Sequence, residues 1–133
     1  IGVRLVGSEM CIRDSINEIN DLCANTPQSL NNLSNEVKLA VEALTNATKW
    51  MLSQDSLNSR LAGATPYLEA FSLVLGAFFH LKSAVADNES GNYCKLASFY
   101  INHILPSVAG SCKSATAGLS DMYGLSAEEL IAI

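Results

Sequence analysis

The sequence is poor in charged residues, and in basic ones above all. Only 16% of its 133 residues are charged, and 8 Lys or Arg face 13 Asp or Glu, which gives a net charge of −5. No cluster of lysine or arginine occurs anywhere along the chain. Because nucleic-acid-binding proteins need a basic face, the composition argues against that class of function.

The residue types that build metal, redox and catalytic sites are also scarce. No C-x-x-C pair, G-x-G-x-x-G loop, nucleophile elbow or metal-ligand cluster is present, so we expect no catalytic, cofactor-binding or metal-binding residue in this chain. Without an N-terminal charged region followed by an apolar run, we expect a cytoplasmic protein with free thiols, buried or half-exposed. The cysteines and histidines are Cys11, Cys23, Cys94, Cys112, His80 and His103.

Apolar residues, in contrast, make up 49% of the chain, enough for a single folded domain with one core. From residue 30 they recur at alternating steps of three and four, which predicts an amphipathic helix over 29–53, with a possible extension to 62. The residues of this seam are Leu30, Leu33, Val37, Ala40, Leu44, Ala47 and Met51.

A second helix is predicted over 66–86, with Thr65 as its N-cap and Pro66 in its first position. From Ala70 to Leu81 it is apolar nearly all round, so we expect a central helix that needs cover on every side. The other helices of the chain should supply most of that cover and leave an apolar patch for a missing domain or partner subunit. The charged residues that bracket this run enclose only 12 residues, fewer than the about 20 that span a bilayer, which argues against a membrane span.

A third helix is predicted over 93–119, kinked at Pro106, and a capping box from Ser126 to Glu129 predicts a short helix over 127–132. The pattern favours an all-α, antiparallel four-helix bundle over 29–133, preceded by a linker or short helix over 16–28. A stripe of small residues at 110, 114 and 118 predicts a close helix approach. The side chains expected to face inward from the third helix are Leu96, Phe99, Tyr100, Ile104, Leu105, Val108 and Cys112.

The first fifteen residues stand apart from this pattern. Gly7–Ser15 reads GSEMCIRDS, which resembles a translated sequencing-adapter artefact. On that interpretation 1–15 is an artefactual or disordered tail, the native sequence begins near Ile16, and Val3, Leu5 and Val6 pack against nothing. An ordinary N-terminal strand or tail is the alternative.

Two motifs, in this order and spacing, carry a family resemblance. They are Ala64–Leu68 (ATPYL) and Phe99–Pro106 (FYINHILP), followed by AGLSDMYGLSAEEL. From about residue 30 to residue 130 the chain resembles the C-terminal helical domain of the extended acyl-CoA dehydrogenases, the branch that includes the 3-methylmercaptopropionyl-CoA dehydrogenases.

The resemblance implies membership of a FAD-dependent enzyme that dehydrogenates the α and β carbons of an acyl-CoA thioester. In that family a glutamate takes the α-proton and the flavin takes the β-hydride, and both belong to a preceding core. It implies FAD in the full-length enzyme and none on this part alone, with the upstream core and further copies of the chain as partners. The acidic residues expected to serve only as cap, loop or first-turn carboxylates are Glu69, Glu89, Glu128 and Glu129.

A different functional class stays open. His80-Leu-Lys82-Ser-Ala on a helix of a bundle is superficially similar to a histidine phosphotransfer domain, where an exposed histidine takes a phosphoryl group and a nearby lysine stabilises its charge. That family reads His-x-Leu-Lys-Gly, whereas Phe78, Phe79 and Leu81 crowd the histidine here. A helical protein-interaction module is the third possibility. For His80 and His103 a structural role is the default interpretation.

Overall fold

The computed structural model of the chain describes residues 2–88 and 91–133, and the side chains of residues 10–88 and 91–133. Within these ranges there is no strand, which confirms the all-α class and the helical bundle. Shorter 3-10 turns at Gln28–Leu30 and Ser120–Tyr123 and a π-helical segment at Tyr100–Ile104 join the longer elements. The α-helices are α1 (Gly2–Ala24), α2 (Asn31–Ser53), α3 (Leu57–Ala62), α4 (Ala64–Ala86), α5 (Asn92–Phe99), α6 (Ser107–Ala115) and α7 (Ala127–Ile131).

The core lies around α4, which packs against α2, α5 and α6. α2 and α6 turn their apolar stripes toward α4 and their polar sides toward water, whereas α5 buries Ala97. α1 adds a further stripe against α2. The largest fully buried side chains are Ile19, Val37, Leu44, Val74, Leu81, Ile101 and Val108.

Side-chain contacts fix the direction of α4 relative to the α5–α6 arm. The Cys94 thiol donates to the Ala84 carbonyl at 3.5 Å, the Tyr100 hydroxyl to the Leu73 carbonyl at 3.1 Å, and the Ser111 hydroxyl to a Glu69 carboxylate oxygen at 3.2 Å. The α4 partners in these three bonds are residues 84, 73 and 69, while the arm partners are residues 94, 100 and 111, so one series falls as the other rises. The two elements are therefore antiparallel, as the sequence predicted.

The N-terminal helix extends across the boundary predicted at residue 16. Ile16 and Ile19 are buried in the core, and the Ser34 hydroxyl donates to the Cys23 carbonyl at 3.1 Å, which ties α1 to α2. Ile12 also packs against the core, so the expectation that no residue of 1–15 contacts the bundle is wrong at this position. The side chains of residues 3, 5 and 6 lie outside the described residues, and the expectation for them stays a prediction.

The start of α4 differs from the predicted one. The helix begins at Ala64 with Gly63 in the cap position, and Thr65 makes no capping hydrogen bond. Gly63 is buried against the backbone of Ala115, so tertiary packing rather than a local cap determines where the helix begins. Pro66 then lies in the first turn, where a missing N–H leaves no intrahelical hydrogen bond unmade.

Part of α4 remains uncovered, as expected of a helix so uniformly apolar among amphipathic neighbours. Phe79 is 60% exposed and Leu68 is 67% exposed. Among the described residues α4 is also the one helix that is long and apolar enough to cross a membrane, with 33% of its apolar window buried. The core helix of a soluble protein meets the same two criteria, so length and composition alone do not assign α4 to a bilayer.

The helix around Pro106 is interrupted by a π-helical segment before the proline. The Leu105 amide donates to the Tyr100 carbonyl at 3.0 Å, five residues back. Pro106 has no N–H to offer, so the preceding turn widens instead of continuing as an α-helix. Ala97, Ile101 and Leu105 are buried on one side of this helix. They are four residues apart, and the wider turn keeps residues at that spacing on the same side.

Two further expectations are wrong. Leu96 and Phe99, predicted to face inward, are 51% and 58% exposed, because this part of the chain turns Ala97 toward the core instead. The small-residue stripe does not mediate a close approach either, because Gly110 is exposed with no atom near its Cβ position and Gly118 lies beyond α6 with φ +85°.

Replacing Pro106 with alanine is expected to restore a backbone hydrogen bond and convert the π segment into regular α-helix. Residues before and after the segment would then change their relative rotation, so the packing of α5 and α6 against α4 would shift. We expect altered amide chemical shifts from Tyr100 through Ser107 in NMR spectra. Unchanged shifts over that segment would mean that packing, not the proline, imposes the π turn.

Candidate functional site

His80 and Tyr100 form a stacked pair between α4 and the π-helical segment. Their rings stack with centroids 4.5 Å apart at an interplanar angle of 31°. The Tyr100 hydroxyl reaches the Leu73 carbonyl, and Gly76 makes room for it, since a Cβ there would lie 2.1 Å from the hydroxyl oxygen. His80 is half-buried in this arrangement. The histidine therefore serves as a packing partner between α4 and the π segment.

The arrangement does not match the phosphotransfer chemistry. Lys82 follows His80 by two residues and so points to a different side of the helix. Its ammonium lies 5.4 Å from the centroid of the Phe78 ring instead of beside the imidazole. His103 is exposed and stacks on Phe99 with centroids 5.2 Å apart.

The carboxylates singled out in the sequence stay apart from one another. Glu69 is exposed and accepts a hydrogen bond from Ser111. Glu129 and Ser126 form the predicted capping box of α7, and hydrogen bonds from the backbone and from Ser126 lower the pKa of Glu128. Glu89 lies outside the described residues. Since a general base needs an enclosed position against its substrate, these three described carboxylates are structural.

The cysteine thiols are free, as expected, but they differ in how far they are exposed to solvent. Cys23 and Cys112 are buried, Cys94 is half-buried, and Cys11 is exposed, which differs from the expectation. Burial raises the pKa of the Cys23 and Cys112 thiols, so both stay protonated and unreactive at neutral pH. Over residues 2–88 and 91–133, no group of three or more metal-ligating side chains comes together.

A pair of hydroxyls joins α2 to α4 inside the bundle. The Thr48 and Tyr67 oxygens lie 2.8 Å apart, and the Thr48 hydroxyl donates to the Leu44 carbonyl at 2.8 Å. Burial raises the pKa of Tyr67, and the hydrogen bond between Thr48 and Tyr67 opposes that effect only in part. Burial raises the pKa of Tyr100 as well.

These raised pKa values predict a loss of stability in alkali. A thiol or phenol whose pKa is higher in the folded than in the unfolded chain stabilises the fold below its unfolded pKa. That contribution is lost as pH rises through the folded value. We expect the free energy of unfolding to fall above about pH 9, where cysteine and tyrosine begin to ionise. Urea titrations between pH 7 and pH 11 measure this.

The Tyr67→Phe variant is the matched control for that titration. It keeps the ring but cannot ionise, so its alkaline loss should be smaller than that of the wild-type chain. Equal alkaline slopes for the wild-type chain and Tyr67→Phe would contradict the assignment to Tyr67.

Two surface clefts among the described residues are candidate places for a flavin. The first lies between α2 and the π–α6 region, and its charged lining residue is Glu36, which would repel a diphosphate. The second lies between α1 and α2 and carries Arg13 and Lys49, but both come from helix interiors, without the glycine-rich loop or helix N-terminus that holds a diphosphate. The residues of these clefts do not fit FAD.

Sequence reasoning missed the contacts that hold the central helix. Gly76 in an otherwise apolar helix was the available signal, because an isolated glycine there often marks a close approach. The Thr48–Tyr67 pair had no such signal, since the two residues are 19 apart in sequence.

A comparison with known protein families gives a match that covers most of the chain. The sequence model described as acetyl-CoA dehydrogenase C-terminal like matches residues 15–126. This range takes in the second half of α1 and all of α2 to α6. No curated protein and no solved structure matches the chain. The chain belongs to the acetyl-CoA dehydrogenase C-terminal-like family.

Proposed function

We propose that this chain is the non-catalytic C-terminal helical domain of a FAD-dependent acyl-CoA dehydrogenase. The family match over residues 15–126 is the observation that carries the proposal. The enzyme would remove hydrogens from the α and β carbons of an acyl-CoA thioester. Its base and its flavin site would lie in a preceding core, and its location would be cytoplasmic.

The contribution of this domain would be structural. The other helices pack around α4 but leave apolar side chains such as Leu68 and Phe79 exposed. Cover for such side chains is expected from another domain or subunit. We propose the upstream core and further copies of the enzyme as its partners, with acyl-CoA bound by the core and no membrane span.

The geometry around His80 argues against the histidine phosphotransfer alternative. His80 is half-buried beneath Tyr100, and the ammonium of Lys82 is directed to Phe78. A phosphoryl acceptor needs a free imidazole nitrogen with a cation beside it.

Three assays on the isolated chain test the proposal. We expect no stoichiometric binding in a FAD titration, no flavin-linked oxidation of acyl-CoA thioesters of different lengths, and no phosphohistidine after incubation with acetyl phosphate. The His80→Ala variant is the matched control for the third assay. Stoichiometric FAD would move the cofactor site into this chain. Phosphohistidine that disappears in His80→Ala would replace the dehydrogenase assignment with phosphotransfer.

A further inference from the structure

We draw no further inference here: the strongest candidate, the cleft between α1 and α2 that Arg13 and Lys49 line, carries no proposal because Arg13 lies in the segment that resembles a sequencing-adapter artefact and nothing in the structure shows what the cleft would hold.

Discussion

Replacing Gly63 with alanine is expected to lower the free energy of unfolding by about 1–3 kcal/mol, the usual cost of overpacking. A Cβ at this position would lie 2.1 Å from the carbonyl oxygen of Ala115. The obstacle is backbone, so no flexible side chain can move aside, and α6 would have to shift away from the α3–α4 junction. Gly63 has φ −96°, which suits alanine, so the effect is steric and not conformational.

Gly110→Ala is the matched control, because the same methyl group is added where nothing lies within 4 Å. Gly110 is in the interior of α6, where alanine is favoured over glycine by about 0.5–1 kcal/mol. The two variants should therefore change stability in opposite directions in urea denaturation. A Gly63→Ala chain as stable as the wild type would refute the close approach between Gly63 and Ala115.

Replacing Leu81 with alanine is expected to cost about 2–5 kcal/mol, the range for a large-to-small change in a core. Leu81 is 0% exposed and lies on the buried face of α4 with Val74 and Ala77. The surrounding helices are tied to α4 at several points, so the cavity cannot close fully. The expected cost is a large fraction of the about 5–15 kcal/mol by which folded domains are usually stable.

Leu68→Ala makes the same chemical change on the same helix at a side chain that is 67% exposed. It should alter the free energy of unfolding by no more than about 0.5 kcal/mol, as is usual for surface substitutions. Thermal unfolding of the two variants measures the difference. Equal destabilisation by Leu81→Ala and Leu68→Ala would mean that Leu81 does not lie on a buried face of α4.

The helices whose limits were predicted well are those with strong local signals. α2 spans Asn31–Ser53 against a predicted 29–53, because its apolar residues recur at helical spacing over six turns. The end of α4 at Ala86 was also predicted, since a polar loop follows. The capping box at Ser126 and Glu129 formed as expected, because both partners lie within one turn.

The features that could not be predicted depend on contacts between distant residues. The start of α4 depends on Gly63 meeting Ala115, 52 positions later. The exposure of Leu96 and Phe99 depends on which side of their helix meets α4. Apolar residues lie on several sides of that helix, so periodicity alone does not select the buried one. The absence of enclosed carboxylates among the described residues needed the structure, because spacing alone places no residue next to a substrate.

The central claim is that this chain is a structural domain which completes a dehydrogenase core. The most direct measurement is the thermal unfolding of the upstream core, expressed separately, with and without this chain added in excess. We expect the chain to raise the melting temperature of the flavin-bound core in a concentration-dependent way, as any ligand of the native state does. Leu81→Ala, which disrupts the bundle, should lose the effect. A core whose melting temperature does not change at any concentration of the wild-type chain would contradict the claim.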